Sequence, residues 1–243
     1  HDEKLPPTTV THEEIYTYGH ILEFDTRRRE TAYMANDYFF KNNPLVAEDI
    51  GGRRVRIYLP GLTGTIGNTL VFGPDHRKFP AFTATDSNDI SFSNVTIHHA
   101  GGMGIIGQRV RNVTVDSCKV MPSGNRILST TADATHFSNC TGKITLSNNI
   151  FTNQMDDATN IHGIYVRIRE ISAPDKALVE LCHPQQYGFD FIKEGMDMEL
   201  VKGQSLITVG TAKVAGMTRL NKSLTEVTFT SPLPAEIKAG DAM

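Results

Sequence analysis

"ADATHF" at Ala132–Phe137 and "DDATNI" at Asp156–Ile161 share the core Asp-Ala-Thr. The core begins at Asp133 and again at Asp157, an interval of 157 − 133 = 24 residues, and the second copy is preceded by a further aspartate, Asp156. A carboxylate that returns after a fixed interval suggests a chain that returns to the same place in space.

The neighbouring segments carry a matching rhythm. Ile90, Phe92, Val95 and Ile97 recur at the same offsets as Val113, Val115, Cys118 and Val120. Ile144, Leu146, Asn149 and Phe151 form a third set, with Asn149 the one departure. Each set reads as two short alternating strands separated by a corner. Asn94, Ser117 and Asn148 stand just before the third apolar position, and Asn tolerates the left-handed backbone that a sharp corner needs. The intervals are 113 − 90 = 23 and 144 − 113 = 31 residues, and Phe82 precedes Ile105 by 23. Strands repeating at this spacing predict an all-β solenoid, and a right-handed parallel β-helix fits best. Propeller blades need roughly 40 residues per unit, and leucine-rich repeats need a Leu/Asn ladder that is missing. The longer interval then contains a loop, "PSGNRIL" at Pro122–Leu128, bulging from one coil on the face where solenoids gather their insertions.

In such a fold Asp133 and Asp157 occupy one position in consecutive coils, with strands ~4.8 Å apart. Stacked ionised carboxylates repel, which favours keeping one of them protonated. The bland reading is a set of solvated turn aspartates or a calcium site. The functional reading is a carboxylate cluster for acid/base chemistry, with Asp133, Asp156 and Asp157 as catalytic candidates. Arg126, His136, Asn160 and His162 are candidates for binding sugar hydroxyls, with Tyr165 and Arg167 close by in sequence. His98–His99 has no carboxylate partner at metal-ligand spacing and reads as structural.

The flanks are less regular. "HILEFDT" (His20–Thr26) reads as a strand, and "ETAYMANDYFF" (Glu30–Phe40) as an irregular or helical connection. "RRVRIYL", "NTLVF" and "AFTATD" read as early solenoid strands. After about Val166, "LVEL", "MDMELV", "SLITVGTAKVAGM" and "LTEVTFT" have variable spacing and no corner asparagines, which predicts a small antiparallel β-barrel or sandwich. The expected domains are therefore 1–165, the N-terminal segment and coils, and 166–243, the barrel-like domain.

Composition narrows the function classes. The chain has 243 residues, 39% hydrophobic, and a net charge of −3, which disfavours a nucleic-acid surface or a basic membrane patch. Arg27, Arg28 and Arg29 are followed at once by Glu30 and read as a solvated or salt-bridged face. Cys118, Cys140 and Cys182 form neither a disulfide framework nor a zinc spacing, and Cys118 reads as a small core residue. No run is long enough to span a membrane. The chain starts at His1 rather than Met and is read as a mature or trimmed product.

"FDTRRRETAYMANDYF", "ADATHFSNC", "MDDATNIHG" and "PLPAEIKAGD" together resemble glycoside hydrolase family 110, from about Gly19 onward. The resemblance implies a right-handed parallel β-helix with a β-barrel domain, and exo-acting cleavage of terminal α-1,3-linked galactose, including that of blood-group-B-like glycans. It implies inversion, with the catalytic carboxylates carried over to Asp133, Asp156 and Asp157. It also implies a galactose-terminated oligosaccharide or glycoconjugate as substrate, no metal or organic cofactor, and a secreted or periplasmic bacterial protein. Family members are considerably longer, so a truncated chain is expected, with weakened activity and an open strand edge favouring a homodimer.

Other readings compete. Polygalacturonases of glycoside hydrolase family 28 also place one Asp in one coil and a pair in the next. Their Gly-His-Gly and Arg-Ile-Lys motifs are met here only by "IHG" (Ile161–Gly163), which follows the pair too closely, and by "VRIRE" (Val166–Glu170). A calcium-dependent polysaccharide lyase would use the three carboxylates as ion ligands and Arg126 or Arg167 as proton acceptor. A β-helix that binds glycans without cutting them is the non-enzymatic reading. For inversion, the working carboxyls should stand roughly 6.5–9.5 Å apart, whereas stacking alone puts Asp133 and Asp157 near the ~5–5.5 Å of retaining enzymes. The doubled aspartate at a bend is the expected way to provide both distances.

Overall fold

The structure is a computed structural model and describes residues 18–35, 46–58, 61–74 and 77–243. It is built from β-strands, with a single 3-10 turn at Pro184–Gln186 among the described residues. The chain forms two units, His1–Ile161 and His162–Met243.

The first unit opens with antiparallel pairs. Strand β1 (Tyr18–Asp25) contains the expected "HILEFDT" strand and pairs with β2 (Glu30–Thr31). Strands β3 (Val46–Asp49) and β4 (Val55–Tyr58) pair with each other, and β5 (Thr69–Pro74) runs antiparallel to β1, placing Ile21 opposite Phe72. This corrects two expectations, because "RRVRIYL" and "NTLVF" are not coil strands. Between β3 and β4, Gly51, Gly52 and Arg53 take positive φ and reverse the chain within one turn, so local turn chemistry fixes a hairpin. Leu70 and Phe72 of β5 pack with Ile21 and Ile57 in a small core of their own. Residues 36–40 of the expected connection Glu30–Phe40 lie outside the described residues.

From "AFTATD" onward the chain repeats itself. Each circuit visits three parallel sheets in turn. The first circuit gives β6 (Phe82–Thr85), β7 (Asn88–Ser93) and β8 (Thr96–Ile97). The second gives β9 (Ile105–Gln108), β10 (Arg111–Asp116) and β11 (Lys119–Val120). The third gives β12 (Thr135–Ser138), β13 (Thr141–Ser147) and β14 (Ile150–Phe151), and β15 (Thr159–His162) begins a fourth. The sheet orders are β15-β12-β9-β6, β13-β10-β7 and β14-β11-β8. Val113 lies between Ile90 and Ile144, Val115 between Phe92 and Leu146, and Val120 between Ile97 and Phe151. Phe82 pairs with Ile105. The ladders read from the sequence are therefore present at those registers. Val113, Val115, Cys118 and Val120 are buried in one apolar cluster with Ile105 and Phe137. Each such aliphatic side chain contributes roughly 1.5–3 kcal/mol.

The corners follow from residue chemistry. Asn94, Ser117 and Asn148 adopt φ of 56°, 53° and 56°. Two more left-handed ladders, not read from the sequence, are Asp86/Arg109/Asn139 and Asp89/Asn112/Gly142. Arginine rarely takes this conformation. Here the Arg109 guanidinium donates to both oxygens of Asp86 one circuit away, at 2.9 and 2.6 Å, and this fork braces the corner. Asn149 replaces an apolar residue for a reason: its Oδ1 accepts from the Cys118 N–H and its Nδ2 donates to the Val115 carbonyl, both at 2.8 Å. The Pro122–Leu128 insertion lies between β11 and β12.

The second unit is one antiparallel sheet of β16 (Val166–Ala173), β17 (Lys176–Leu181), β18 (Asp197–Val201), β19 (Thr208–Arg219) and β20 (Leu224–Phe229), in the order β16-β17-β20-β19-β18. Ala242 bridges antiparallel to Arg167 of β16 and to Val201 of β18, so the final segment joins the two edge strands and closes the sheet. Asp241 pins that segment, accepting from Lys202 Nζ at 2.8 Å and from the N–H groups of Gly203 and Lys238 at 3.1 Å. These hydrogen bonds, Lys202 first, hold its carboxyl below the usual range. Val166, Ile168, Leu181, Leu200 and Phe229 fill the interior.

Candidate active site

The two Asp-Ala-Thr copies lie at the entrances to β12 and β15. The Ala134 N–H donates to the Asp157 carbonyl at 2.9 Å, and the Thr135 and Thr159 hydroxyls are 2.9 Å apart. Asp133 and Asp157 therefore share one position in consecutive circuits. Asp156 precedes the strand at a bend, and its Oδ1 accepts from the Asp157 N–H at 3.1 Å. One oxygen from each of Asp133, Asp156 and Asp157 lies within 4.8 Å of the other two. Asp133 is buried, Asp156 half-buried and Asp157 exposed.

Three cationic or donor groups hold this cluster, and one of them was missed in the sequence. Arg77 reaches it from the segment before β6. Its guanidinium donates to Asp156 Oδ2 at 2.5 Å and stands 3.9 Å from Asp133 Oδ1. It places positive charge between two acids that would otherwise repel. Gly102 permits the approach, because a Cβ there would lie 2.8 Å from the Arg77 carbonyl. His136, in β12 three residues after Asp133, donates from Nδ1 to Asp133 Oδ2 at 2.6 Å. Asn160 donates from Nδ2 to Asp157 Oδ2 at 3.0 Å. The signal for Arg77 was weak, one of two adjacent basic residues in "PDHRKFP" 133 − 77 = 56 residues before Asp133.

The remaining candidates lie elsewhere. Arg126 is exposed on the Pro122–Leu128 insertion and lines a cavity of about 440 Å³ with His99, Ser129 and Thr131. His162 is exposed at the end of β15, its Nδ1 bonded to the Gly163 carbonyl at 2.7 Å. Tyr165 and Arg167 belong to the second unit and are exposed. His98 and His99 bond to loop carbonyls, Met121 and Leu128 respectively, which is a structural use. The cluster's donor set also bears on metals. Calcium takes 6–8 oxygen ligands. Here Asp156 Oδ2 and Asp133 Oδ2 already accept from Arg77 and His136, so the cluster's charge is partly met by the protein's own donors. The arrangement suits proton transfer and hydroxyl binding, with a guarded acid inside and an accessible one outside.

Comparison with known proteins follows the same direction. Residues 176–243 match the family model of GLAA-B beta-barrel domain II. Alpha-1,3-galactosidase A of Shewanella woodyi is 36% identical over 229 residues, covering 92% of this chain and 37% of that protein. Alpha-1,3-galactosidase B of Phocaeicola vulgatus is 33% identical over 181 residues, covering 70% of this chain and 30% of that protein. Alpha-1,3-galactosidase A of Akkermansia muciniphila is 33% identical over 159 residues, covering 65% and 27%. The chain thus spans about a third of the length of the curated relatives it matches. No helix among the described residues is long and apolar enough to cross a membrane. The resemblance to glycoside hydrolase family 110 read from the motifs is borne out, and the chain is a homologue of proteins named alpha-1,3-galactosidase A and B.

Proposed function

We propose that this chain carries the catalytic carboxylates of an exo-acting α-galactosidase that removes terminal α-1,3-linked galactose from oligosaccharides or glycoconjugates, blood-group-B-like glycans among them. The observation that carries this reading is the approach of Asp133, Asp156 and Asp157 to within 4.8 Å, with Arg77, His136 and Asn160 on their oxygens. The names of the relatives supply the substrate class.

In this reading the three parallel sheets are coils of a right-handed β-helix within residues 1–165, and 166–243 is the barrel domain. The coils supply the acids at one corner. Asp157, exposed and held by the Asn160 amide on Oδ2, meets the substrate; Asp156 stands beside it. Asp133 is almost fully buried, at 1% exposure, and fixes His136 and, with Asp156, Arg77. One carboxylic acid protonates the glycosidic oxygen while a carboxylate activates water on the opposite face. The protein works outside the cytoplasm, secreted or periplasmic.

Inversion is the stereochemistry the motif resemblance implies. Incubation of the full-length protein with an α-1,3-linked digalactoside, followed by proton NMR, tests both levels. Early β-galactose supports inversion, early α-galactose supports retention, and no galactose at all overturns the hydrolase reading.

A further inference from the structure

The insertion Pro122–Leu128 is held unusually well for an exposed loop, and by residues the reaction scheme does not use. Arg29 reaches it from the β1–β2 turn, donating from one nitrogen to the carbonyls of Gly124 at 2.8 Å and Arg126 at 2.5 Å. Asn153 donates from Nδ2 to the Ile127 carbonyl at 2.8 Å and to the Arg29 carbonyl at 2.7 Å, so it locks clamp and loop together. His99 uses both ring nitrogens, at 3.0 Å each, on the Leu128 carbonyl and the Ser123 hydroxyl. Four carbonyls of the loop, those of Gly124, Arg126, Ile127 and Leu128, are thus held by side chains from three other places in the chain. Arg29 and Asn153 both adopt left-handed backbone to do so, at φ of 60° and 61°. Side chains that fix a loop in this way preorganise it, so that ordering is not charged against ligand binding.

The fixed loop is one wall of the cavity of about 440 Å³ lined by His99, Arg126, Ser129 and Thr131. That volume is in the range of small-molecule sites. Thr131 is two residues before Asp133, so their Cα atoms are at most about 7 Å apart. On the other side the cavity reaches Gly101, which packs on Phe79, two residues from Arg77. The cavity's walls at Thr131 and Gly101 thus each stand within two residues of a segment that carries a member of the cluster, Asp133 on one and Arg77 beyond Phe79 on the other. Thr131 Oγ1 is buried and has no hydrogen-bond partner among the described residues, and Thr131 lines the cavity. Apolar walls with a few placed polar groups suit a sugar ring, which has an apolar face and hydroxyl edges.

We propose that this cavity holds the sugar on the leaving-group side of the cleaved bond, that Arg126 and Thr131 bind its hydroxyls, and that Arg29 and Asn153 are positioning residues that hold the Arg126 wall. The proposal rests on the hydrolase reading above. It gives "TRRR" a division of labour: Arg28 pairs with Glu30 on the surface at 3.3 Å, while Arg29 is the clamp.

The test compares two substrates in the full-length protein and its Arg29→Ala and Arg126→Ala variants. One is an α-1,3-linked digalactoside. The other is α-galactosyl fluoride, whose leaving group is a single ion that cannot fill the cavity. The ratio of kcat/KM, digalactoside over fluoride, is expected to fall about tenfold in each variant, with the loss in the digalactoside KM rather than kcat. Arg29→Lys should recover part of the ratio, and amides in residues 123–129 should exchange faster in Arg29→Ala. An unchanged ratio in both variants overturns the proposal. If the wild-type protein cleaves neither substrate, the hydrolase reading has failed, and ligand-observed NMR of the digalactoside then decides. Saturation transfer to its second ring that is lost in Arg126→Ala upholds the cavity as a sugar site, and equal or absent transfer overturns it.

Discussion

Removing the charge of Arg77 tests whether it is what allows three acids to share one corner. In Arg77→Met the long apolar stem is kept and the guanidinium is lost. Asp133 and Asp156 then face each other with oxygens no more than 4.8 Å apart. Two unit charges at that distance repel by about 3.5 kcal/mol at an effective dielectric constant of about 20. Arg77 and Asp156 retain 28% and 27% side-chain exposure, and solvent screening brings the expected loss of stability to roughly 1–2 kcal/mol. The assay is urea unfolding at neutral pH and low salt, because guanidinium chloride would itself screen the charges. The decisive reading is a double-mutant cycle. Asp156→Asn should destabilise the wild-type protein, where it breaks the pair with Arg77. In the Arg77→Met background it should restore stability, where it removes a repulsion. A coupling of roughly 1–2 kcal/mol with that change of sign is expected. If Asp156→Asn costs the same in both backgrounds, Arg77 does not hold the cluster together.

Three further outcomes follow from the same structure. Val115→Asp should prevent the first unit from folding, because Val115 is fully buried between Phe92 and Leu146; soluble protein with a native circular dichroism spectrum would contradict the ladder. Gly104→Ala should cost about 1–3 kcal/mol and lower kcat, since its Cβ would meet the Ala134 carbonyl at 2.5 Å and displace the circuit that carries Asp133; a thermal midpoint equal to wild type would contradict this close approach. The Asp241 carboxyl is depressed in the folded state, so its stabilisation is present above the ordinary carboxylate value of about 3.9 and is lost as pH falls through the lower folded value. The thermal midpoint of the second unit should therefore drop below about pH 4. Asp241→Asn should flatten that drop, and an identical acid limb in the variant would argue against the role given to Asp241.

The parallel ladders were legible because two signals coincided. Apolar residues alternated with period two, and the corner positions Asn94, Ser117 and Asn148 marked where each strand had to turn. The same repeat brought Asp133 and Asp157 into one position without any knowledge of side-chain geometry. What escaped reading was long-range or depended on unlikely residue types. Arg77 joins Asp156 across a separation of 79 residues, with no local pattern to announce it. Arg109 occupies a left-handed corner only because Asp86, one circuit away, holds its guanidinium. Strands β4 and β5 carried the right alternation for coils, but a tight turn and a separate core at Ile21 drew them into antiparallel pairs. Closure of the second sheet rests on Ala242 bridging to both edge strands, which no periodicity encodes. Arg126 was singled out as a sugar ligand from its place in the insertion, and the structure sets it on a cavity wall, a position that no sequence pattern specifies.

The central claim is that Asp133, Asp156 and Asp157 act as one catalytic centre, and it is tested most directly by three separate substitutions. Asp133→Asn, Asp156→Asn and Asp157→Asn, each made in the full-length protein, should be assayed for galactose release from an α-1,3-linked digalactoside. An unchanged circular dichroism spectrum should accompany a fall in kcat of about 10²–10⁴ in each variant, the range expected when a positioned acid or base is removed, and Asp156→Asn should add the modest loss of stability expected from breaking its pair with Arg77. If two of the three variants keep kcat near wild type, the cluster is not the catalytic centre, and the repeated Asp-Ala-Thr is a feature of the corners alone.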